Sequence, residues 1–274
     1  ALGLVMLLPL LFWPAPRPPA GVAEITVLDV GQGLATVVRT ARHTLVYDPG
    51  PLYSAESDAG QRVVVPYLRW LGVNALDMLV VTHRDSDHAG GAASVLAAMP
   101  VADIRSPVAE FRGAPCLAGQ RWQWEGVEFA FLHPARAADA GETAGNHFSC
   151  VLRIASAGQR MLLTSDIEAV DEAEMLARDA DALRAEVLLV PHHGSRTSSS
   201  PAFVKAVAAK EVIFPVGYRN RFGHPKAEVV ERHLVQGSRL WRSDREGAVM
   251  VRLAPDGIDM QAQRQLVRRY WHGR

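Results

Sequence analysis

Residues 78–88 read MLVVTHRDSDH, an apolar strand-like run that passes directly into two histidines and two aspartates. A strand delivers its last residues rigidly to the edge of a sheet, and the following turn can wrap alternate side chains around one point. His83, Asp85, Asp87 and His88 are four hard or borderline ligands in six residues, a density that suits a pair of divalent cations. The spacing assigns His83 and Asp85 to one ion, and Asp87 and His88 to the other. A polar surface turn is the competing account, and it does not explain why the ligand types abut a buried strand. Two more strand ends repeat the theme. Asp166 follows MLLTS, where a carboxylate can bridge two ions, and His192 and His193 follow LLVP. One strand-end aspartate is usually a turn residue, but three strand ends bearing ligand types argue against coincidence.

The remaining pattern mixes strands and helices along the whole length. Residues 24–30, 34–39 and 44–47 form an antiparallel meander closed by Asp48-Pro49-Gly50. Residues 63–71 and 90–99 read as helices. Residues 150–154 and 161–163 pair across Ala157-Gly158. Helices follow at 170–178 and 227–234, and another starts with Ser200 as N-cap and Pro201 as its first residue. Strands at 187–190, 212–215, 240–242 and 248–253 complete the set. The expected class is α/β, with two packed sheets and helices outside rather than one parallel sheet.

Lys plus Arg and Asp plus Glu number 29 each, so nucleic-acid binding would have to rest on a local patch. Cys116 and Cys150 lack a CxxC spacing; they either pair in an oxidising compartment or are simply buried. Residues 1–13 are apolar and uncharged. They are too short to span a bilayer, which takes about 20 residues, and they lack signal-peptide flanks. We read them as the end of a transmembrane helix belonging to a longer chain, with a hydrophobic leader packed on the domain as the alternative. Residues 14–21 are a Pro-rich linker, 22–262 the folded domain, and 263–274 a basic tail carrying Tyr270 and Trp271. That tail either contacts DNA or anionic lipid, or frays.

The ligand loop resembles the HxHxDH signature of the metallo-β-lactamase superfamily, with Asp85 in place of the second histidine. That departure, together with VLDVGQG at 27–33, TSDIE at 164–168, VPHHGSRTSSSP at 190–201 and RFGHP at 221–225, is similar to the periplasmic hydrolase domain of ComEC-type DNA-uptake channels. The resemblance covers about residues 22–253. It implies an αββα four-layer sandwich and a metal set of His83, Asp85, Asp87, His88, Asp166 and His193. It also implies a further ligand between the first loop and Asp166, for which Asn146 and His147 are candidates and His147 is favoured. Carboxylate in place of imidazole hardens the first site, so two Mn²⁺ ions are expected, with Zn²⁺ or Mg²⁺ as alternatives.

The expected activity is that of a phosphodiesterase acting on DNA at the cell surface during uptake, degrading one strand. Asp87, His192 and His224 are the catalytic candidates. Ser195, Arg196, Thr197 and Ser198 precede a helix N-terminus, a natural anion site. With Asn220 and Arg221 they are expected to hold substrate phosphates. Gln32 either lines the floor of the centre or marks a tight glycine turn. The expected partners are single-stranded or duplex DNA, the channel part of the same longer chain, and other uptake proteins, at the periplasmic face of the inner membrane. The rivals are a phosphocholine-esterase-like or other small-ester hydrolase of the same fold, and a non-catalytic module that guides DNA.

Overall fold

A computed structural model describes residues 16–139 and 142–269. The expected membrane segment at 1–13, and Tyr270 and Trp271 of the tail, lie outside the described residues. Among those described, no helix is long and apolar enough to cross a membrane.

In chain order the strands are β1 (Ala23–Val27), β2 (Ala35–Arg39), β3 (Thr44–Pro49), β4 (Leu52–Ser54), β5 (Ser57–Asp58), β6 (Leu76–Val80), β7 (Val101–Arg105) and β8 (Arg121–Trp124). They continue with β9 (Val127–His133), β10 (Val151–Ser156), β11 (Gln159–Leu163), β12 (Val187–Leu189), β13 (Glu211–Phe214), β14 (Arg239–Arg242), β15 (Val249–Ala254) and β16 (Gly257–Ala262). One seven-stranded sheet runs β16-β15-β1-β2-β3-β6-β7 and a second runs β14-β13-β12-β11-β10-β9-β8.

The sheets pack face to face over a core that includes Ile25, Tyr47, Val80, Phe129, Leu163, Ile213 and Trp241. A second core fills the space between the first sheet and the helices Val65–Trp70 and Ala92–Ala98. A third lies between the second sheet and the helices Ala169–Asp179, Pro201–Val207 and Ala227–Val235. Three cores separate four layers, αββα. Strands covered on both faces are buried at every position, as in Val187–Leu189, and so read as continuous apolar runs instead of alternating ones.

The topology positions the site. β3 and β6 are parallel neighbours, as are β11, β12 and β13. Parallel strands discharge their C-terminal ends on the same edge of the sheet, where ligands of open α/β sheets gather. Asp48, the loop after Val80, Asp166 and the His192-His193 pair all sit at such ends. Cys116 and Cys150 are joined to each other, with Cα atoms 5.8 Å apart. The hairpin strand β16 is not foreseen in the sequence: GIDMQA is mostly half-buried or exposed and carries no strong apolar signal.

Candidate metal centre

Asp87, His88, Asp166 and His193 each offer a ligand atom, and these atoms all lie within 4.8 Å of one another. His88 and His193 are almost wholly buried. Their Nε2 atoms face each other at 3.1 Å. Asp166 Oδ1 lies 3.1 Å from the first, and Asp166 Oδ2 3.5 Å from the second. Asp87 Oδ2 is 3.3 Å from His193 Nε2.

Each ring is oriented through its other nitrogen. His88 Nδ1 donates to Asp48 Oδ2 at 2.8 Å, and His193 Nδ1 donates to the Pro215 carbonyl at 2.8 Å. Such partners fix tautomer and ring plane and leave Nε2 as the coordinating atom. Asp48 also accepts from the Thr82 N–H and hydroxyl, each at 2.8 Å. It is fully buried. In the sequence Asp48 stands only as a turn residue; the histidine it serves lies 40 positions away.

His83 Nε2 is buried without a hydrogen-bond partner, and Asp85 Oδ2 is 3.8 Å from it. A buried imidazole nitrogen aimed at a carboxylate and left orphaned is what an absent cation would leave behind. The residues therefore fit a metal: four gathered ligands at one position, and His83 with Asp85 beside them.

Electrostatics agree. Burial alone would raise the Asp166 carboxyl, but the adjacent His88 and His193 outweigh it and hold it well below the usual range. Burial disfavours charge on His88, yet Asp166 and Asp48 lift it well above an ordinary imidazole. Asp87 is held at about 2, where the hydrogen bond from His193 and the charge of His88 overcome burial. His83, buried and beside His88, is lowered to about 4. Protons here stand where a cation would balance two carboxylates, so metal binding would release them.

The backbone is bent to make this arrangement. Asp48 (φ 56°), Ser165 (φ 50°), His192 (φ 50°) and His193 (φ 55°) all adopt the left-handed conformation. Each costs on the order of 1 kcal/mol for a residue with a Cβ. Four at one edge of the molecule mark where packing enforces geometry for a purpose other than stability. Gly33 (φ 136°) permits the first turn to lie on the ligand loop: a Cβ there would sit 2.3 Å from the Asp87 carbonyl. Gln32 clamps the opposite loop, its Oε1 accepting from the Gly217 N–H at 3.2 Å.

Of the expected catalytic residues, His192 stands between Asp166 Oδ2 (3.7 Å from Nε2) and Glu168 Oε1 (3.4 Å from Nδ1). The His224 ring centroid is 6.2 Å from that of His192. Burial, then His193 and Lys226, lower His224 to about 4, and its Nδ1 is buried without a partner.

Three expectations need correction. His147 does not join the centre: its side chain is mostly exposed, and Nδ1 pairs with Asp171 Oδ1 at 3.0 Å. The buried residue after the 3₁₀ turn Asn146–Phe148 is Ser149, so the turn directs His147 outward. The anion site before Pro201 is already filled from within: the buried Glu172 carboxylate accepts from the N–H groups of Ser199 (2.5 Å) and Ser200 (2.7 Å). Ser198 Oγ is committed to the Pro191 carbonyl at 2.8 Å. Asn220 is likewise an internal clasp, donating to the carbonyls of Gly217 and His224 and accepting from the His224 N–H.

Ser195 and Thr197 hydroxyls face each other at 3.2 Å, with Thr197 donating to Glu168 at 3.1 Å. Arg196 forms an ion pair with Glu228. Arg221 is exposed and, among the described residues, has no carboxylate partner.

The model of the Metallo-beta-lactamase superfamily matches residues 28–217. Competence protein ComA of Neisseria gonorrhoeae is 38% identical over 92% of this chain and 35% of its own length. Recombination protein 2 of Haemophilus influenzae is 33% identical over 88% of this chain and 30% of its own. ComE operon protein 3 of Bacillus subtilis is 28% identical over 84% and 33%. The chain thus spans about a third of the length of these relatives. Among solved structures, the metallo-beta-lactamase fold protein YhfI of Bacillus subtilis superposes with a TM-score of 0.53 at 12% identity, covering 85% of this chain and 99% of that one. Igni18, a metallo hydrolase of Ignicoccus hospitalis, gives 0.52 at 14%, covering 83% and 98%. At such identities these two likenesses establish the fold alone.

Proposed function

We propose that this chain, which belongs to the metallo-beta-lactamase superfamily, is a metal-dependent phosphodiesterase that cleaves DNA at the cell envelope during uptake. The observation that carries the reading is the gathering of Asp87, His88, Asp166 and His193 within 4.8 Å, with both imidazoles pre-oriented. Relatives named for competence and recombination support DNA as the substrate class. The Cys116–Cys150 bond supports an oxidising, extracytoplasmic location.

Asp87, His88, His193 and Asp166 would hold one divalent ion, and His83 with Asp85 and Asp166 a second. When bound, such ions supply Lewis acidity to a phosphoryl oxygen and lower the pKa of a water molecule. Mn²⁺ is favoured because Asp85 puts oxygen where the family signature has imidazole. Asp87, the most exposed of the four gathered ligands, orients the nucleophile from the mouth of the centre. His192, held between Asp166 and Glu168, stands at the same edge with a ring nitrogen for the substrate. His224 is neutral at neutral pH, which suits gripping a phosphate oxygen through a ring N–H better than delivering a proton. Arg221 remains available to neighbouring phosphates, whereas the Thr197 hydroxyl is already taken by Glu168 and lies 3.2 Å from His192 Nδ1.

The test is incubation of the purified chain with end-labelled single- and double-stranded DNA and Mn²⁺, beside an Asp87→Ala control. Mn²⁺-dependent shortening that vanishes in the control is expected. Absence of cleavage with Mn²⁺, Mg²⁺ or Zn²⁺, in a folded and metal-loaded chain, would move the reading to a small-ester hydrolase or a DNA-guiding module. Activity with Zn²⁺ alone would refute the metal assignment.

A further inference from the structure

The loop that follows β13 reads GYRNRFGHPK over residues 217–226 and contains no acidic residue. Two of its aromatic rings face solvent: Tyr218 is 72% exposed and Phe222 45%. Burial is the usual fate of such rings, so a pair left out beside a candidate active site asks for an occupant. Arginines alternate with them. The Arg219 guanidinium lies 5.3 Å over the Tyr218 ring, and that of Arg221 4.8 Å over Phe222.

Among the described residues neither arginine has a carboxylate partner, whereas Arg196 and Arg242 are paired with Glu228 and Asp244. Among the described residues no acid neutralises their charge, which an anion can meet.

The loop is tied to the centre on both sides. The Gly217 N–H is held by Gln32, and a Cβ at Gly217 would sit 2.5 Å from the Gln32 nitrogen. The turn that bears Gln32 in turn packs against the Asp87 backbone. At the other end, the Phe222 ring stacks on His224, with centroids 5.8 Å apart and planes 14° from parallel. His224 neighbours His192, which lies beside Asp166. The Asn220 clasp and the Lys226 ammonium, which donates to the Phe222 carbonyl, hold the loop in this shape. A platform made rigid in advance loses little freedom on binding.

We propose that Tyr218 and Phe222 are a stacking platform for unpaired nucleobases at the mouth of the metal centre, with Arg219 and Arg221 meeting the phosphates between them. This deepens the reading of the site as a phosphodiesterase, on which it rests, and makes the substrate a single strand. Aromatic rings interleaved with cations bind single strands with little regard to sequence, because every base has a π face. In a duplex those faces are covered by neighbouring bases. The arginines do not block the rings. An exposed cation–π contact is weaker than base–aromatic stacking, and a guanidinium plane can itself stack a base.

The test is fluorescence anisotropy with the whole chain in EDTA, so that nothing is cleaved. The probes are fluorescein-labelled (dT)₁₂, an abasic deoxyribose-phosphate strand of equal length and charge, and the (dT)₁₂·(dA)₁₂ duplex. The wild type is expected to bind (dT)₁₂ about tenfold or more tighter than the abasic strand. The Tyr218→Ala/Phe222→Ala double variant should lose that preference, leave abasic binding within about twofold, and barely alter duplex binding. The Tyr218→Trp/Phe222→Trp variant should keep it. If the alanine variant melts lower than wild type, Tyr218→Leu/Phe222→Leu, apolar but not aromatic, is read in its place with the same expectation. Equal affinity of the wild type for (dT)₁₂ and the abasic strand would overturn the platform, as would unchanged (dT)₁₂ binding in the variant. A chain that keeps the preference but cuts no DNA would sink the proposed activity and leave the platform standing. A chain that cuts DNA while its loop variants bind like wild type would do the reverse.

Discussion

Exchanging Asp48 for Asn tests whether the histidines of this centre are set before any cation arrives. The Asp48 carboxylate accepts three hydrogen bonds: from the Thr82 N–H on Oδ1, and from the Thr82 hydroxyl and His88 Nδ1 on Oδ2. An amide has one accepting oxygen and one donating nitrogen. With its oxygen toward the Thr82 N–H, it turns NH₂ toward His88 Nδ1. That forces the His88 proton onto Nε2, the atom needed for the metal. Flipped, it points a donor at the Thr82 N–H inside a fully buried site. Backbone strain does not enter, because Asn tolerates the left-handed conformation (φ 56°) that Asp48 already adopts. Loss of such an orienting partner typically weakens metal affinity about 10- to 100-fold, or about 1.4–2.7 kcal/mol. Isothermal titration of chelator-stripped protein with Mn²⁺ or Zn²⁺ reads this directly, with circular dichroism confirming that the variant is folded. Affinity within about twofold of wild type would refute the argument that Asp48 fixes the His88 tautomer.

Other consequences are open to the same kinds of measurement. Glu172→Gln leaves one of the Ser199 and Ser200 N–H groups facing an NH₂ and should destabilise the fold by about 2–3 kcal/mol in urea denaturation, with metal affinity unchanged. His147→Ala should leave metal stoichiometry and affinity as they are, since that side chain pairs with Asp171 outside the centre; loss of one bound ion would restore it as a ligand. His233 is buried, and its folded pKa is lowered to about 4 by burial and then by Arg232. Unfolding therefore binds a proton between pH 6.5 and 4. The stability His233 permits is complete above about pH 6.5 and falls by about 1.4 kcal/mol per unit as pH drops toward 4. His233→Leu should flatten that part of the wild-type curve, and parallel curves would contradict the assignment.

The sequence was most legible where meaning is local. Buried strands announce themselves as apolar runs, and ligand types directly after such runs are carried to the sheet edge by the ladder itself. Asp87, His88, Asp166 and His193, which the fold gathers within 4.8 Å, all lie in the short segments after Val80, Leu163 and Leu189. Two packed sheets with helices outside followed from the mixture of strand runs and helices, and the αββα sandwich from the family resemblance that the motif set carries. Ser200 and Pro201 began their helix as their chemistry requires, with Ser200 accepting from the Phe203 N–H.

Tertiary structure alone decided which polar group serves which. Asp48 reaches Thr82 across 34 positions and His88 across 40. Glu172 takes the N–H groups of Ser199 and Ser200 from 27 and 28 positions away, in a place the local pattern offered to a phosphate. Ser198 and Asn220 look like ligand-binding residues in the sequence and are internal struts in the fold, while His147 looks like a metal ligand and is turned outward by the three-residue turn before Ser149. The physical reason is common to all of them. Once two sheets close over a dry core, a buried donor left without an acceptor is costly, and the available acceptors are set by distance in space, which the order of residues along the chain does not encode.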